Sequence, residues 1–389
     1  MSVLQRYFAI SISQAVAFVL IAFLALLAFM DLTGELPAVG KNGYGIEHAF
    51  LYVLILVPGH VYEVMPLAAL IGTIYTMAQF ASSSEFTIMR ASSMSTAMAA
   101  WMLFRIGVVF VIITFIFGEL ITPRTTPLAE KLKLTARGTT VSQEFRSGLW
   151  TKDIVKSGGL SGQVTGSRFF NVREVRPDGQ LLDVKLYEFD TRFRLRSLLV
   201  AGHASYQGNN IWRLADVTET RFSNAALAID GAQANMQNNF GQATSAVSIE
   251  KSASKDLISE ITPKILSVSS SDPDRMSATE LALYTRHLAE NRQETERFKI
   301  AFWKKLIDPL GIFVLMAMAL PFAYLHSRSG GVSLKIFIGI MIGVSFILVN
   351  TLFSHLGLLS TWPAFLTAIA PSALFLLLAL GALWWVERH

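Results

Sequence analysis

Two strongly apolar segments flanking a polar middle predict an α-helical membrane protein: six transmembrane helices plus an inserted all-β, jelly-roll-like domain. Three observations carry that prediction. Hydrophobic residues make up 52% of the 389 positions and charged residues only 16%, against roughly 25% charged in ordinary soluble domains. The apolar residues gather in long runs at both ends, several of them longer than the ~20 residues a helix needs to cross hydrocarbon. The middle, about 138–275, has the composition of a soluble domain, with alternating segments broken by turn residues. The chain therefore divides into 1–137 with spans 1–3, 138–275 with the β domain, and 276–389 with a connecting helix and spans 4–6.

Span 1 covers about Tyr7 to Leu32 and is too long for a cleaved signal segment. A glycine-rich loop follows, with Lys41 its only basic residue. Pro58, Gly59 and Pro66 interrupt the next apolar region. It reads as an interfacial or re-entrant helix over Ala49–Val57 followed by span 2 over Val61–Phe80. His60 and Glu63 have the spacing of a metal pair but no third ligand nearby, and read as a helix-end pair. Span 3 runs from about Ala97 to Ile121 and is closed by Pro123 and Pro127, with a basic extension over Ala129–Arg137.

Between spans 2 and 3 lies a polar island at 81–94. Ser84 suits an N-cap, and Phe86, Met89 and Ser93 follow at helical spacing. The island reads either as a solvated connection or as a short surface helix of the size a soluble partner grips.

In the middle, Phe169–Val175, Leu181–Phe189, Arg194–Tyr206 and Ile211–Phe222 read as strands, and Asn224–Ser254 as two or three polar strands. Pro177-Asp178-Gly179 and Gly208-Asn209-Asn210 read as turns. In Leu181–Phe189, Leu182, Val184 and Leu186 share one side. This spacing of strands and turns favours a sandwich or jelly roll. Ser277-Ala278-Thr279-Glu280 is a capping box opening a charged helix. Span 4 is expected over Leu306–Leu325, with Asp308-Pro309 near its start, span 5 over Val332–His355 and span 6 over Trp362–Val386.

Six spans place both termini on the side of the island. Arg6, Arg90, Arg328, Lys335 and Arg388 lie there, whereas the short loops opposite hold Lys41 alone. The positive-inside rule makes the island cytoplasmic and the β domain extracytoplasmic. Lys131, Lys133, Arg137, Lys299, Lys304 and Lys305 then gather on the outer side. They suit either a phosphorylated amphiphile or ordinary phospholipid phosphates. There is no cysteine, no GxxxxGK[ST], no G-x-S-x-G and no HExxH. The composition thus offers no P-loop or hydrolase motif and nothing aimed at nucleic acid, and reads as a conduit energised by a partner.

Ser84-Glu85-Phe86-Thr87-Ile88-Met89-Arg90-Ala91-Ser92, Gly148-Leu149-Trp150-Thr151-Lys152-Asp153, Ile211-Trp212-Arg213-Leu214 and Trp303-Lys304-Lys305-Leu306-Ile307-Asp308-Pro309-Leu310, in that order on this topology, resemble the lipopolysaccharide export permeases of diderm bacteria. The Gly-Leu-Trp and Trp-x-x-Leu-x-x-Pro-Leu features are closer to the G-type than to the F-type paralogue. The resemblance implies an inner-membrane transporter subunit that is not itself an enzyme and needs no cofactor. It further implies an F-type permease partner, a cytoplasmic ATPase dimer, a periplasmic jelly-roll bridge with its inner-membrane anchor, and lipopolysaccharide as substrate. Under it, Glu85, Phe86, Met89 and Arg90 belong to an ATPase-coupling helix, and Lys41, Lys131, Lys133 and Arg137 face lipopolysaccharide headgroups. The chain departs from the family's pattern in carrying Ser93 where a glycine is usual, and no basic residue in Ala28-Phe29-Met30-Asp31. A membrane-anchored tethering module and a permease for another lipid or lipoprotein are the alternatives.

Overall fold

A chain that must cross lipid has to bond its own backbone groups, and the computed structural model resolves the apolar halves into helices long enough to do so. It describes residues 3–41, 43–137, 148–176, 179–222, 247–263, 265–266, 272–324, 332–359 and 362–388. The expected loop 326–331 with Arg328, the Pro177-Asp178 part of a turn, and any strand within 224–246 lie outside these. Six spans are long and apolar enough to cross a membrane: Val3–Ala38, Ile46–Ser82, Thr96–Arg137, Glu296–Ala323, Ser333–Leu359 and Ala364–Val386. The chain forms two compact units: 1–133 with 272–285 and 294–389, and 134–271 with 286–293.

In the helical unit, α1 (Val3–Glu35) is followed by α2 (Ile46–Ser82), one helix of 37 residues with Pro58 and Pro66 inside it. The expected break into a re-entrant helix and a shorter span is therefore corrected. Each proline removes one donor, but leaving the helix within lipid would orphan several more groups. His60 consequently sits in mid-helix rather than at a helix end. It has a third neighbour that the sequence spacing did not disclose: Asp31 of α1 lies 2.6 Å from Nε2, and Glu63 3.4 Å from Nδ1. The packing of α1 on α2 is close. A Cβ on Gly72 would fall 2.7 Å from the Val16 backbone, so only glycine admits this approach.

Span 3 does not stop at its prolines either. α4 (Thr96–Ile116) passes through a π-turn, Phe117–Ile121, into α5 (Thr122–Arg137). The Thr122 amide reaches back to the Phe117 carbonyl, and this wider winding carries the helix past Pro123. Glu119 in the wide turn accepts two bonds from the Ala278 amide, at 3.0 and 2.9 Å. It thereby holds the start of α6 (Ala278–Glu290), where the expected capping box is formed: Glu280 Oε2 accepts from Ser277 N at 3.1 Å and Ser277 Oγ from Glu280 N at 3.2 Å.

The helical run that carries span 4 begins at Glu296. It comprises α7 (Glu296–Ile307), a 3-10 turn at Asp308–Leu310 and α8 (Gly311–Ala319), so Asp308-Pro309 lies inside a longer helical run. α9 (Val332–Leu359) and α10 (Ala364–Arg388) complete the unit. Lys335, counted with the basic residues of one side, is buried.

The inserted domain is all-β, as expected. The described strands are β1 (Leu149–Gly158), β2 (Ser161–Val175), β3 (Leu181–Asp190), β4 (Leu195–Gly208), β5 (Ile211–Phe222) and β6 (Val247–Ile258). They form one antiparallel sheet in sequential order rather than two separate sheets. Asn209 and Asn210, with φ of 48° and 62°, make the predicted hairpin turn. Trp212 is fully buried, and its indole N–H donates to the Ile261 carbonyl at 2.7 Å. Asp153 accepts from Ser259 Oγ at 2.6 Å, and burial pushes its carboxyl above the usual range.

A crease runs across this sheet. The pairing skips Arg173, Asp183, Gly202, Asp216 and Ala253, which lie in one row, while register is kept on both sides of it. Asp183 and Asp216 have φ of 48° and 56°. Across the row the inward set shifts by one residue: Leu186 and Val184 are followed by Leu181, Leu199 and Ala201 by Ala204, and Val217 by Leu214 and Trp212. Without this extra residue per strand, a period of two would turn each strand's second half inside out. Leu182, expected on one side with Val184 and Leu186, is accordingly only half-buried while those two and Leu181 are in the core.

The crease depends on backbone that β-branched residues adopt badly. Asp216→Val is expected to destabilise the β domain by about 1–2 kcal/mol and Asp216→Gly by much less. Hydrogen exchange of β5 in the full-length protein reads the difference. Equal losses for both variants would mean that the carboxylate, not the backbone, is what matters.

Candidate functional site

The island at 81–94 is built by two serines in left-handed backbone. Ser84 (φ 59°) ends the run of α2, and Ser93 (φ 74°) closes the seven-residue helix α3 (Glu85–Ala91). Ser84 stands at the N-cap position as expected, but its hydroxyl makes no capping bond; the turn of the backbone defines the helix start. Ser95 then caps α4, accepting from Met98 N at 3.2 Å. A helix this short has no stability of its own and needs a packed face.

Phe86 supplies that face. It is 2% exposed, and its ring meets Tyr324 edge-on at 5.0 Å. Met89 packs partly buried against the same core, and the Arg90 guanidinium lies 4.8 Å above the Tyr324 ring. Thr96 Oγ1 and Tyr324 Oη are 2.7 Å apart. Glu85 accepts from Tyr7 Oη at 2.9 Å and from Ser83 Oγ at 3.0 Å. Of the four residues expected to couple to an ATPase, Phe86 and Met89 thus face inward, and Glu85 is already hydrogen-bonded. The outward apolar residue is Ile88, 63% exposed and flanked by exposed Thr87 and Ala91. Sequence spacing groups Phe86 with Met89 but does not say which side of the helix the core lies on.

The basic residues expected to face headgroups are dispersed. Lys41 is exposed in the turn following Leu36–Ala38, and Lys131 is exposed on α5. Lys133 is committed elsewhere: its ammonium donates to Glu35 Oε1 at 2.6 Å and lies 4.8 Å above the Tyr52 ring. Tyr44 Oη donates to the other oxygen of Glu35 at 3.3 Å. Arg137 is the last residue of α5. No described contact joins Lys41, Lys131 and Lys133. Glu35, Tyr44 and Tyr52 carry no local signal in the sequence, since their partner lies on a different span.

A cavity of about 410 Å³ opens between α1, α2, α7, α8 and α9. Leu27, Leu67, Phe346 and Ile347 give it apolar walls, and Glu63, Lys304, Lys305, Asp308 and Asn350 supply polar groups. Lys305 is almost fully buried; its ammonium lies 4.3 Å above the Tyr62 ring and donates to the Asp274 carbonyl at 3.4 Å. Asn350 Nδ2 donates to Asp308 Oδ1 at 3.5 Å. Such a lining matches an amphiphile, with charges for a headgroup beside surface for chains. Among the described residues no group of three or more His, Asp or Glu is placed to hold a metal ion.

Six spans, an inserted β domain, a cavity of mixed lining between the spans and a short helix folded onto them are the features of a polytopic membrane protein. Residues 6–387 match the family described as lipopolysaccharide export system permease LptF/LptG. The chain is 27% identical over 382 residues to the lipopolysaccharide export system permease protein LptG of Escherichia coli strain K12, covering 98% of each chain. It is likewise 27% identical over 384 residues to the protein of that name from Haemophilus influenzae, covering 98% of this chain and 97% of the relative. The chain belongs to the LptF/LptG family of lipopolysaccharide export permeases.

The Glu35–Lys133 pair joins α1 to α5. Lys133→Met, which leaves Glu35 without its cation, is expected to lower stability by about 1–2 kcal/mol, discounted for the partial exposure of both groups. Adding Glu35→Gln should recover most of that loss. Thermal denaturation in detergent checks both, and an unchanged midpoint for Lys133→Met would show that the pair is not structural.

Proposed function

We propose that this chain is the G-type permease subunit of an ATP-driven lipopolysaccharide exporter, paired with an F-type permease paralogue and a cytoplasmic ATPase dimer. Its role is transport, and ATP is hydrolysed on the partner. Arg6, Arg90 and Arg388 on the side of α3, against Lys41 alone in the loop after span 1, support a cytoplasmic α3 in the inner membrane. Both termini then lie in the cytoplasm and the β domain in the periplasm, where it hands substrate to a jelly-roll bridge protein held by its own membrane anchor.

The observation that carries the coupling reading is the seating of α3. A passive connection has no reason to bury Phe86 against Tyr324 while leaving Ile88 outside. The mixed cavity between spans 1, 2, 4 and 5 supports an amphiphilic substrate. Lys41 and Lys131, both exposed, remain the candidates for headgroup contact. Lys133 would contribute only if lipopolysaccharide displaces Glu35 from its ammonium, and Arg137 stands at the end of α5.

Charge reversal tests the reading. Glu85→Lys is expected to lower ATP-dependent delivery of lipopolysaccharide from proteoliposomes by about tenfold or more, with the membrane unit still folded. Normal delivery by this variant with the ATPase still bound would contradict the coupling role. Absence of any ATPase from the wild-type protein purified in mild detergent would favour a tethering module.

A further inference from the structure

The short helix is connected by chain to spans 2 and 3, and its side chains are also fastened to spans 1 and 4. Glu85 is held by Tyr7, whose ring stacks on Phe80 at 5.5 Å and which belongs to the first turns of α1. Phe86 and Arg90 both engage the ring of Tyr324, which follows the 3-10 turn Leu320–Ala323 at the end of span 4. The Tyr324 hydroxyl also meets Thr96 at the start of α4. One tyrosine therefore receives an aromatic edge, a cation and a hydroxyl from three points of the island and its exit. Each contact falls off within an ångström or two of displacement. A shift of α3 must either carry Tyr324 with it or lose all three together.

The loops flanking α3 are poor at transmitting a push. Both carry a serine in left-handed backbone, and Ser82, Ser83, Ser84, Ser92 and Ser93 are exposed, with the chain next buried at Met94. The side-chain contacts are the stiffer route, because packed aromatic groups resist compression whereas exposed turns rotate. Spans 1 and 4 are also two of the spans that wall the cavity, through Leu27 on α1 and Lys304, Lys305 and Asp308 on span 4.

Building on the reading of α3 as the docking helix, we propose that Tyr7 and Tyr324 are positioning residues that pass its displacement directly to spans 1 and 4, and so to the cavity wall. Tyr324 links α3 to span 4 through its ring and Tyr7 links it to span 1 through its hydroxyl. Neither tyrosine lines the cavity.

The test uses the full-length chain reconstituted in proteoliposomes with its partner permease and the ATPase. It measures ATPase retained on purification, ATP hydrolysed, and lipopolysaccharide delivered per ATP. Tyr324→Ala is expected to retain the ATPase and to hydrolyse ATP within about twofold of wild type, while delivery per ATP falls about tenfold, within the usual range of coupling between sites. Tyr324→Phe keeps the ring and should restore delivery to within about twofold. Tyr7→Phe deletes one hydroxyl at an exposed position and cannot unfold the chain; it should lower delivery per ATP about threefold, the scale of a single hydrogen bond. Wild-type delivery per ATP in both Tyr324→Ala and Tyr7→Phe would overturn the proposal. So would loss of the bound ATPase in Tyr324→Ala, because the ring would then be building the docking surface instead of passing on movement. If the wild-type chain itself retains no ATPase, the docking reading fails first and the proposal falls with it.

Discussion

A backbone inside hydrocarbon has no water to fall back on, and this constraint shapes the whole helical unit. It is why α2 runs unbroken past Pro58 and Pro66, and why span 3 rewinds through a π-turn instead of ending at Pro123. Charge is handled by the same rule. Lys133 is placed on Glu35, Lys305 over Tyr62, His60 beside Asp31, and Asp308 near Asn350. Each pairing ties one span to another, so the groups that are costly to bury also fix how the helices pack.

The seating of α3 and the cavity follow from this arrangement. The seven-residue helix is seated on the spans by one buried phenylalanine against one tyrosine. The outward face left by that seating is small, with Ile88 at its centre. The cavity has a polar patch on an otherwise apolar wall, and two of the spans lining it bear the contacts of the helix.

Much of this was legible in the sequence because it is local. Apolar run length gives the six spans, Ser277 and Glu280 three residues apart give the capping box, and Asn209-Asn210 gives the hairpin turn. Four strands of the β domain were readable from runs between turn signals, one of them, Leu181–Phe189, from its alternation. What stayed hidden depends on distant partners or on the solvent. Proline is read as a breaker by its behaviour in water, and lipid changes the balance. The crease at Asp183 and Asp216 exists only because neighbouring strands share it row by row. The inward turn of Phe86 required Tyr324, and the commitment of Lys133 required Glu35, 98 residues away. Spacing alone could mark these residues as special without saying which way they face.

The most direct test of the central claim is site-specific crosslinking of the docking helix in the intact complex. A photo-crosslinking amino acid is placed in turn at Ile88 and at Phe86 of the full-length chain. The account predicts a strong adduct with the ATPase from position 88 and little from position 86, whose side chain is buried against Tyr324. An adduct from position 86 with none from position 88, or no ATPase adduct from either, would contradict it.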